Sequence, residues 1–304
     1  MHIYLPIAGL SVNMLVIVLL GGGVGLLSGM FGVGGGFLTT PLLIFYGIPP
    51  TVAVASSASQ ITGASVSGVL AQMRRKGVDF QMGGVMVAGG IVGSGLGAVL
   101  FRLLQRLGQI DTVIALTYVV LLGSIGALMA RESIGTILAH RRGEKPRHAM
   151  RRHNPLIAAL PMRWRFYRSG LYISPLAPFL LGALTGVLTV ILGVGGGFIM
   201  VPAMIYLLGM AAQVVVGTSL FQILFVTAVT TMIHATTTKA VDIVLAVLLL
   251  VGSAVGAQIG SRFAMRLRPE WLRLLLALLV LAVAVRMGAG LTWRPGQIYS
   301  VEIG

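Results

Sequence analysis

Cysteine is absent from the 304 residues, which excludes disulfides, thiolate metal sites and a thiol nucleophile, and leaves the redox compartment unread. Acidic residues are almost as scarce, seven against 22 Lys and Arg. Charged residues make up only 10% of the chain, where a soluble domain carries about 25%. That shortage excludes a soluble domain. No His/Asp/Glu group has metal-ligand spacing, and no nucleophile, base and acid are set together, so no enzyme, metal or cofactor is expected. Asp79 and Asp242 are the only paired acids that invite an aspartyl-protease reading. Neither lies in the middle of an apolar segment, and neither is followed by the glycines such a site uses. The first residues lack the Lys and Arg of a secretory signal, and their apolar stretch runs into glycines, so no cleaved leader is expected.

What is there instead is apolar sequence in ten segments. The hydrophobic fraction is 57%, and the mean hydropathy is +0.97. The segments fall at 12–31, 36–47, 50–73, 80–104 and 110–130, then at 174–192, 197–209, 212–235, 241–264 and 270–290. A simple span needs about 20 residues, so 36–47 and 197–209 are short. They are read either as the returning arms of hairpins or as short, tilted spans. The expected fold is all-α, a polytopic transmembrane protein of two inverted repeats. The expected division is a first repeat over 1–130, a basic cytoplasmic loop over 131–172 and a second repeat over 173–304.

The duplication is legible in motifs. Gly32-Val33-Gly34-Gly35-Gly36-Phe37 returns as Gly193-Val194-Gly195-Gly196-Gly197-Phe198, each followed by a proline, Pro41 and Pro202. Ser56-Ser57-Ala58-Ser59-Gln60-Ile61 returns as Thr218-Ser219-Leu220-Phe221-Gln222-Ile223. Asp79 matches Asp242, Gln72 matches His234, and Gly93/Gly97 match Gly252/Gly256. Helix-breaking motifs at matched positions of two apolar halves point to the binding site of a secondary transporter. Neither glycine run continues into Gly-Lys-Ser/Thr, so neither is a nucleotide-binding loop.

Ten Lys and Arg lie between Arg131 and Arg168; further clusters are Arg74-Arg75-Lys76 and Arg262, Arg266, Arg268 and Arg273. All three fall on one side if each half crosses an odd number of times, and that side should be cytoplasmic. Both termini then face outward, and the second half is inverted. Interleaved aromatics and arginines at 162–168 suit the anionic inner leaflet better than nucleic acid, which is not an expected partner.

Two constellations carry candidate chemistry. Glycine lets backbone approach a ligand, and a helix starting after such a turn aims its N–H groups and dipole at an anion. Gly34, Gly35, Gly36 and Gly195, Gly196, Gly197 are therefore read as a divided anion site; the plain alternative is tight helix packing. Ser57, Ser59, Gln60, Thr218, Ser219 and Gln222 offer neutral hydrogen bonds to substrate oxygens, or to one another between helices. His234 is read as a proton relay, or as a water-facing residue at a helix end. Asp79 and Asp242 are read as helix caps.

The doubled Gly-x-Gly-Gly-Gly-Phe with its proline, and the Ser/Thr-x-x-Gln segment that follows, resembles the TauE/SafE family of permeases. The resemblance covers about 14–130 and 174–290 and not the basic loop. It implies secondary transport of sulfite, an organosulfur anion or a small carboxylate across the bacterial inner membrane, with the glycines, Gln60 and Gln222 at the site. Export driven by the proton gradient or membrane potential is expected, with one repeat rocking against the other. The alternatives are a channel-like anion pore, a membrane-embedded enzyme and a scaffold that binds a partner through its basic loop. The expected partners are the small anion, the lipid bilayer and, since carriers of this size often pair, a second copy of the chain.

Overall fold

The computed structural model describes residues 2–31, 36–74, 76–141, 164–210, 212–264 and 269–292. Among them are ten α-helices: α1 (Met14–Phe31), α2 (Gly36–Phe45), α3 (Pro50–Arg74), α4 (Phe80–Arg106), α5 (Ile110–Arg141), α6 (Leu176–Leu192), α7 (Gly197–Tyr206), α8 (Ala212–Ile233), α9 (Ile243–Ala264) and α10 (Pro269–Thr292). Each half also opens with a two-stranded antiparallel hairpin: β1 (His2–Leu5) with β2 (Leu10–Asn13), and β3 (Trp164–Phe166) with β4 (Leu171–Ile173).

Five stretches, on α4, α5, α8, α9 and α10, are long and apolar enough to cross a membrane. Leu96, Val99, Val120, Leu128, Val255 and Val285 are more than half exposed along these helices. Aliphatic side chains turned outward in such numbers belong against lipid rather than water. The fold is a polytopic all-α membrane protein, as the hydropathy predicts. α3 has the length to cross but carries Ser56, Ser57, Ser59 and Gln60, and it lies largely inside the bundle.

Glycine registers set the direction of each helix pair. Gly21, Gly25 and Gly29 meet the backbone at Leu249, Ser253 and Ala257, so α1 and α9 run parallel. Gly89, Gly93 and Gly97 meet Phe179, Ala183 and Val187, so α4 and α6 run parallel too. Equivalent helices run antiparallel instead. Ser59 pairs with Thr231 and Thr62 with Thr227 across α3 and α8, while Val119 meets Gly288 and Gly126 meets Val280 across α5 and α10. Antiparallel equivalents and parallel exchanged partners are what an inverted repeat produces. The first helix of each half therefore packs on the fourth helix of the other.

The ends of the short helices decide between hairpin and span. One apolar cluster holds Leu5 and Val12 of the first β-hairpin, Ile17 of α1, Leu43 of α2, Val52 of α3 and Leu245 of α9. The beginnings of α1, α3 and α9 thus share one face with the end of α2. A second cluster, with Phe166, Ile173, Met82, Met204 and Val215, does the same for the other half at the opposite face. α2 and α7 have ten residues each, about 15 Å, half of a hydrocarbon core of about 30 Å. Each returns its chain to the face from which α1 or α6 came.

The interval expected to be loop from 131 departs from expectation at both ends. α5 stays helical through Arg141, and residues 164–173 form the second β-hairpin. That hairpin is the counterpart of the first: Leu5, Gly9, Leu10 and Val12 correspond to Phe166, Gly170, Leu171 and Ile173. Both glycines are left-handed, and Leu5, Val12, Phe166 and Ile173 point inward. Strands of three and four residues give too short an alternation to be read from sequence. The part of the basic loop at 142–163 lies outside the described residues.

Candidate functional site

The second glycine run ends α6 by backbone conformation. Gly193, Gly195 and Gly196 all have positive φ, 68°, 71° and 75°, a region that costs a residue with a side chain about 1–2 kcal/mol. Gly193 caps the helix by donating its N–H to the Thr189 carbonyl (2.8 Å). It has no room for a Cβ, which would fall 2.9 Å from the Val54 Cα. Residues 193–198 are all buried, as non-helical backbone at membrane depth requires.

The last carbonyls of α6 are claimed by other helices. Tyr118 Oη of α5 donates to the Leu192 carbonyl at 2.6 Å, and His234 Nε2 lies 3.0 Å from the Val190 carbonyl. Because a carbonyl only accepts, this bond makes Nε2 the protonated nitrogen. The His234 ring also sits edge-on to Phe101, 4.9 Å between centroids. His234 is fully buried, at the start of the π-helical turn (His234–Thr238) that follows α8, which corrects the expectation of a histidine facing water. Tyr118→Phe should lower stability by about 1–3 kcal/mol, because it strips the Leu192 carbonyl of its donor in an apolar core. Thermal unfolding in detergent would read this, and an unchanged midpoint would remove Tyr118 from the support of the turn.

The two glycine motifs meet. Phe37 and Phe198, each directly after its glycine run, stack with centroids 4.6 Å apart and planes 12° from parallel. A Cβ on Gly36 would strike the Ile61 side chain and, at 2.8 Å, the Val194 carbonyl oxygen. Gly195 faces Ile61, Ile223 and Thr227, and Gly196 faces Thr185 and Thr189. The starts of α2 and α7, reached from opposite faces, thus close on each other between α3 and α8. Gly34 and Gly35, placed in the site from sequence, lie outside the described residues.

The polar candidates divide into three groups. Thr218 Oγ1 accepts from the Asp79 N–H at 3.0 Å, and its counterpart Ser56 accepts from the Asp242 N–H at 3.1 Å. Ser219 donates to the Val216 carbonyl of its own helix. These hydroxyls are engaged in structure. Gln60 Oε1 accepts from Thr39 of α2 (3.2 Å), and Gln222 Nε2 donates to Thr185 of α6 (3.1 Å). Gln222 Oε1 and Ser57 Oγ are buried without a hydrogen-bond partner among the described residues, an expensive arrangement that fits groups awaiting a partner. Ser59 stands apart: its hydroxyl lies 3.2 Å from the Ala55 carbonyl of its own helix and 3.4 Å from Thr231 Oγ1.

The structure does not bring Gln60 and Gln222 face to face. In the α3–α8 register, Gln60 is level with residues 229–230, so Gln222 lies seven or eight residues away, about 11 Å along the axis. Each glutamine therefore belongs to a half-site of its own, on either side of the Thr62–Thr227 bond (2.9 Å) at the crossing. The sequence matched the glutamines correctly, but antiparallel packing moves equivalent off-centre residues apart. It missed Thr39, Thr185, Thr62 and Thr227. Of these only Thr39 and Thr185 have a visible signal, a threonine within or beside the motif stretches.

Asp79 and Asp242 cap helices, as the sequence predicts, and also do more. Asp79 Oδ1 accepts from the N–H groups of Gln81 and Met82, and Oδ2 from the N–H (3.0 Å) and hydroxyl of Ser169 in the second β-hairpin. Asp242 accepts from Leu245 N–H (3.1 Å) and from Ile7 N–H (3.2 Å) in the first β-hairpin. Each aspartate thus fastens the hairpin of the other half.

The family model described as "Sulfite exporter TauE/SafE" matches residues 17–287. The chain is 28% identical over 271 residues to "Probable membrane transporter protein YjnA" of Bacillus subtilis (strain 168), covering 89% of this chain and 98% of that one. It is 25% identical over 290 residues to "Probable membrane transporter protein YunE" of the same organism, covering 90% and 97%. A "Probable membrane transporter protein" of Xylella fastidiosa (strain Temecula1 / ATCC 700964) is 28% identical over 269 residues, covering 87% and 91%. No solved structure matches significantly.

Proposed function

The chain belongs to the Sulfite exporter TauE/SafE family of membrane transporters, and from that premise we propose that it is a secondary transporter, an exporter, of a small organosulfur or sulfite-type anion across the bacterial inner membrane. The observation that carries this reading is the meeting of the starts of α2 and α7, one from each face, at the Phe37–Phe198 stack. The first turn of a helix leaves its N–H groups without intrahelical partners. Here α2 and α7 begin at that meeting point, so their dipoles offer the anion partial positive charge with no buried Lys or Arg. Gln60 with Thr39, and Gln222 with Thr185, supply neutral hydrogen bonds on either side. An anion leaving the cytoplasm runs down an inside-negative potential worth about 2.3 kcal/mol per charge per 100 mV, so export needs no nucleotide.

Alternating access then moves bodies that mix the repeats. Rocking one repeat against the other would part the α1–α9 and α4–α6 seams together, and both are backbone-to-backbone. The units that keep the seams whole are α1 with α9 and α4 with α6, tilting about the α3–α8 crossing.

Counterflow of labelled sulfite, sulfoacetate and a short carboxylate in liposomes, with and without a pH gradient, tests the reading. Saturable counterflow of one of them is the expected result. Unsaturable flux would make the protein a pore, and no flux from folded protein would remove small anions as its cargo. Gly196→Ala should cut the rate at least about tenfold while folded protein remains. Its Cβ would sit 3.1 Å from the Thr185 Cβ in a left-handed backbone, a strain of about 1–2 kcal/mol at the turn itself. An unchanged rate would take the turn out of the transport path.

A further inference from the structure

One cavity lies apart from the two glutamine half-sites and takes in Ser59, which they leave out. It holds about 570 Å³, within the usual range of roughly 300–1,000 Å³ for small-molecule sites. Its lining includes Ser59 of α3, Thr231 of α8, Lys239 in the link to α9, and Ile243 and Ala246 of α9. Ile7 of the first β-hairpin borders it, so it opens at the face where that hairpin is fastened to Asp242.

The duplication supplies the control. At the opposite face, Ser59 is replaced by Phe221, Thr231 by Val69, and Ile243 by Phe80. The Phe221 ring sits edge-on to Phe80 (5.5 Å between centroids) and to Phe225 (5.0 Å). The same place in the fold is thus roomy at one face, with two hydroxyls and a lysine among aliphatic side chains, and filled with aromatic rings at the other. The link cation is duplicated as well. Lys239 corresponds to Lys76, and these two are the only non-glycine residues with positive φ among the described residues, 51° and 55°. A residue with a side chain held there in both copies is strained backbone, of the kind kept where a position has a job.

We propose that this cavity is the anion's subsite at the outer face, the last it occupies on export, with Lys239 attracting it and Ser59 and Thr231 meeting its oxygens, while Phe221 shuts the equivalent space at the opposite face. It rests on the transport reading above and deepens it. The nearby Asp242 carboxylate does not oppose an anion freely, since both of its oxygens accept backbone N–H bonds, from Leu245 and Ile7. Lys239 is exposed, so its charge is available at the mouth. The subsite suits a compact anion with several oxygens, a sulfonate or sulfite in type.

The missing cysteines make the test clean, because a single introduced thiol is the only one in the chain. S59C, T231C and V69C proteins in liposomes are treated with an anionic and a cationic methanethiosulfonate reagent, and labelling rates are compared. S59C and T231C should react, and V69C, the buried equivalent of T231C with Phe221 still in place, should not. With each rate divided by that for a free thiol in solution, the anionic reagent should win at S59C by about fivefold, the ratio a unit charge at roughly 8 Å in water gives between opposite probes. K239Q in the S59C background should bring that ratio close to one.

If S59C fails to insert, T231C carries the same comparison. Both thiols unreactive, reaction only with lipid-soluble N-ethylmaleimide, or a ratio indifferent to K239Q would each overturn the subsite. Faster labelling of V69C than T231C would reverse the open and closed faces and overturn it too. The readout needs no substrate. Labelling as expected without counterflow of any anion would overturn the transport reading alone; counterflow without labelling would overturn the subsite alone.

Discussion

Gly93→Val should leave almost no folded protein in the membrane. A Cβ at position 93 would fall 2.6 Å from the Ala183 carbonyl carbon and 2.7 Å from its Cα. These atoms are backbone and cannot rotate away, so α4 and α6 would have to separate along the seam from Gly89 to Gly97. Ordinary overpacking costs about 1–3 kcal/mol because side chains give way; a parted seam exceeds that. Small residues at such crossings bring helices close enough for dispersion to hold them in lipid, where no hydrophobic force does so. Gly256→Val in the matching seam should behave alike, since its Cβ would fall 2.8 Å from Leu26 N and 2.8 Å from the Gly22 carbonyl carbon. Gly95→Val on the same helix is the control, because nothing lies within 4 Å of its Cβ. The yield of monodisperse protein after detergent extraction decides it. Equal yields for Gly93→Val and Gly95→Val would mean that the seam is not a determinant of folding.

Asp79→Ala should be the second severe change, lowering stability by about 3 kcal/mol or more. The cap alone accounts for about 1 kcal/mol. The bonds to the Ser169 N–H and hydroxyl add to it, since bonds to charged groups contribute about 1.5–3 kcal/mol each and are not additive. Asp242→Ala should cost less, because among the described residues that carboxylate accepts two bonds where Asp79 accepts four. Asp79→Asn should lie between wild type and alanine: it keeps an acceptor for the helix N–H groups but turns a donor toward Ser169. Thermal midpoints of the three proteins in detergent give the order, and protease sensitivity near 164–173 shows whether the hairpin has come loose. A midpoint for Asp79→Ala within a degree of wild type would remove the aspartate from the docking of the second β-hairpin.

Both results would bear on one architectural point. The seams and the aspartate fasteners all join residues of different halves, so neither half has its own complete packing. Expression of one half alone leaves Gly25 and Gly93 without their partner backbones, and leaves Asp79 or Asp242 without its hairpin.

Much of this was readable from the chain. Ten apolar segments became ten helices with ends within a few residues of expectation, save α5, because membrane helices satisfy their backbone internally and hydropathy is a local property. Asp79 and Asp242 were readable as caps because capping depends on the next three residues. The glycine run was readable as a break because positive φ is a property of glycine itself. The partner of each helix was not readable, since Gly25 carries no mark of Ser253. Nor was the return of α2 and α7 to their own faces, which follows from where Leu43 and Met204 find apolar neighbours. The separation of Gln60 from Gln222 is likewise tertiary. Two equal residues on equivalent helices look like one site until antiparallel packing sets them about 11 Å apart, and only contacts distant in sequence, such as Thr62 with Thr227, fix that register.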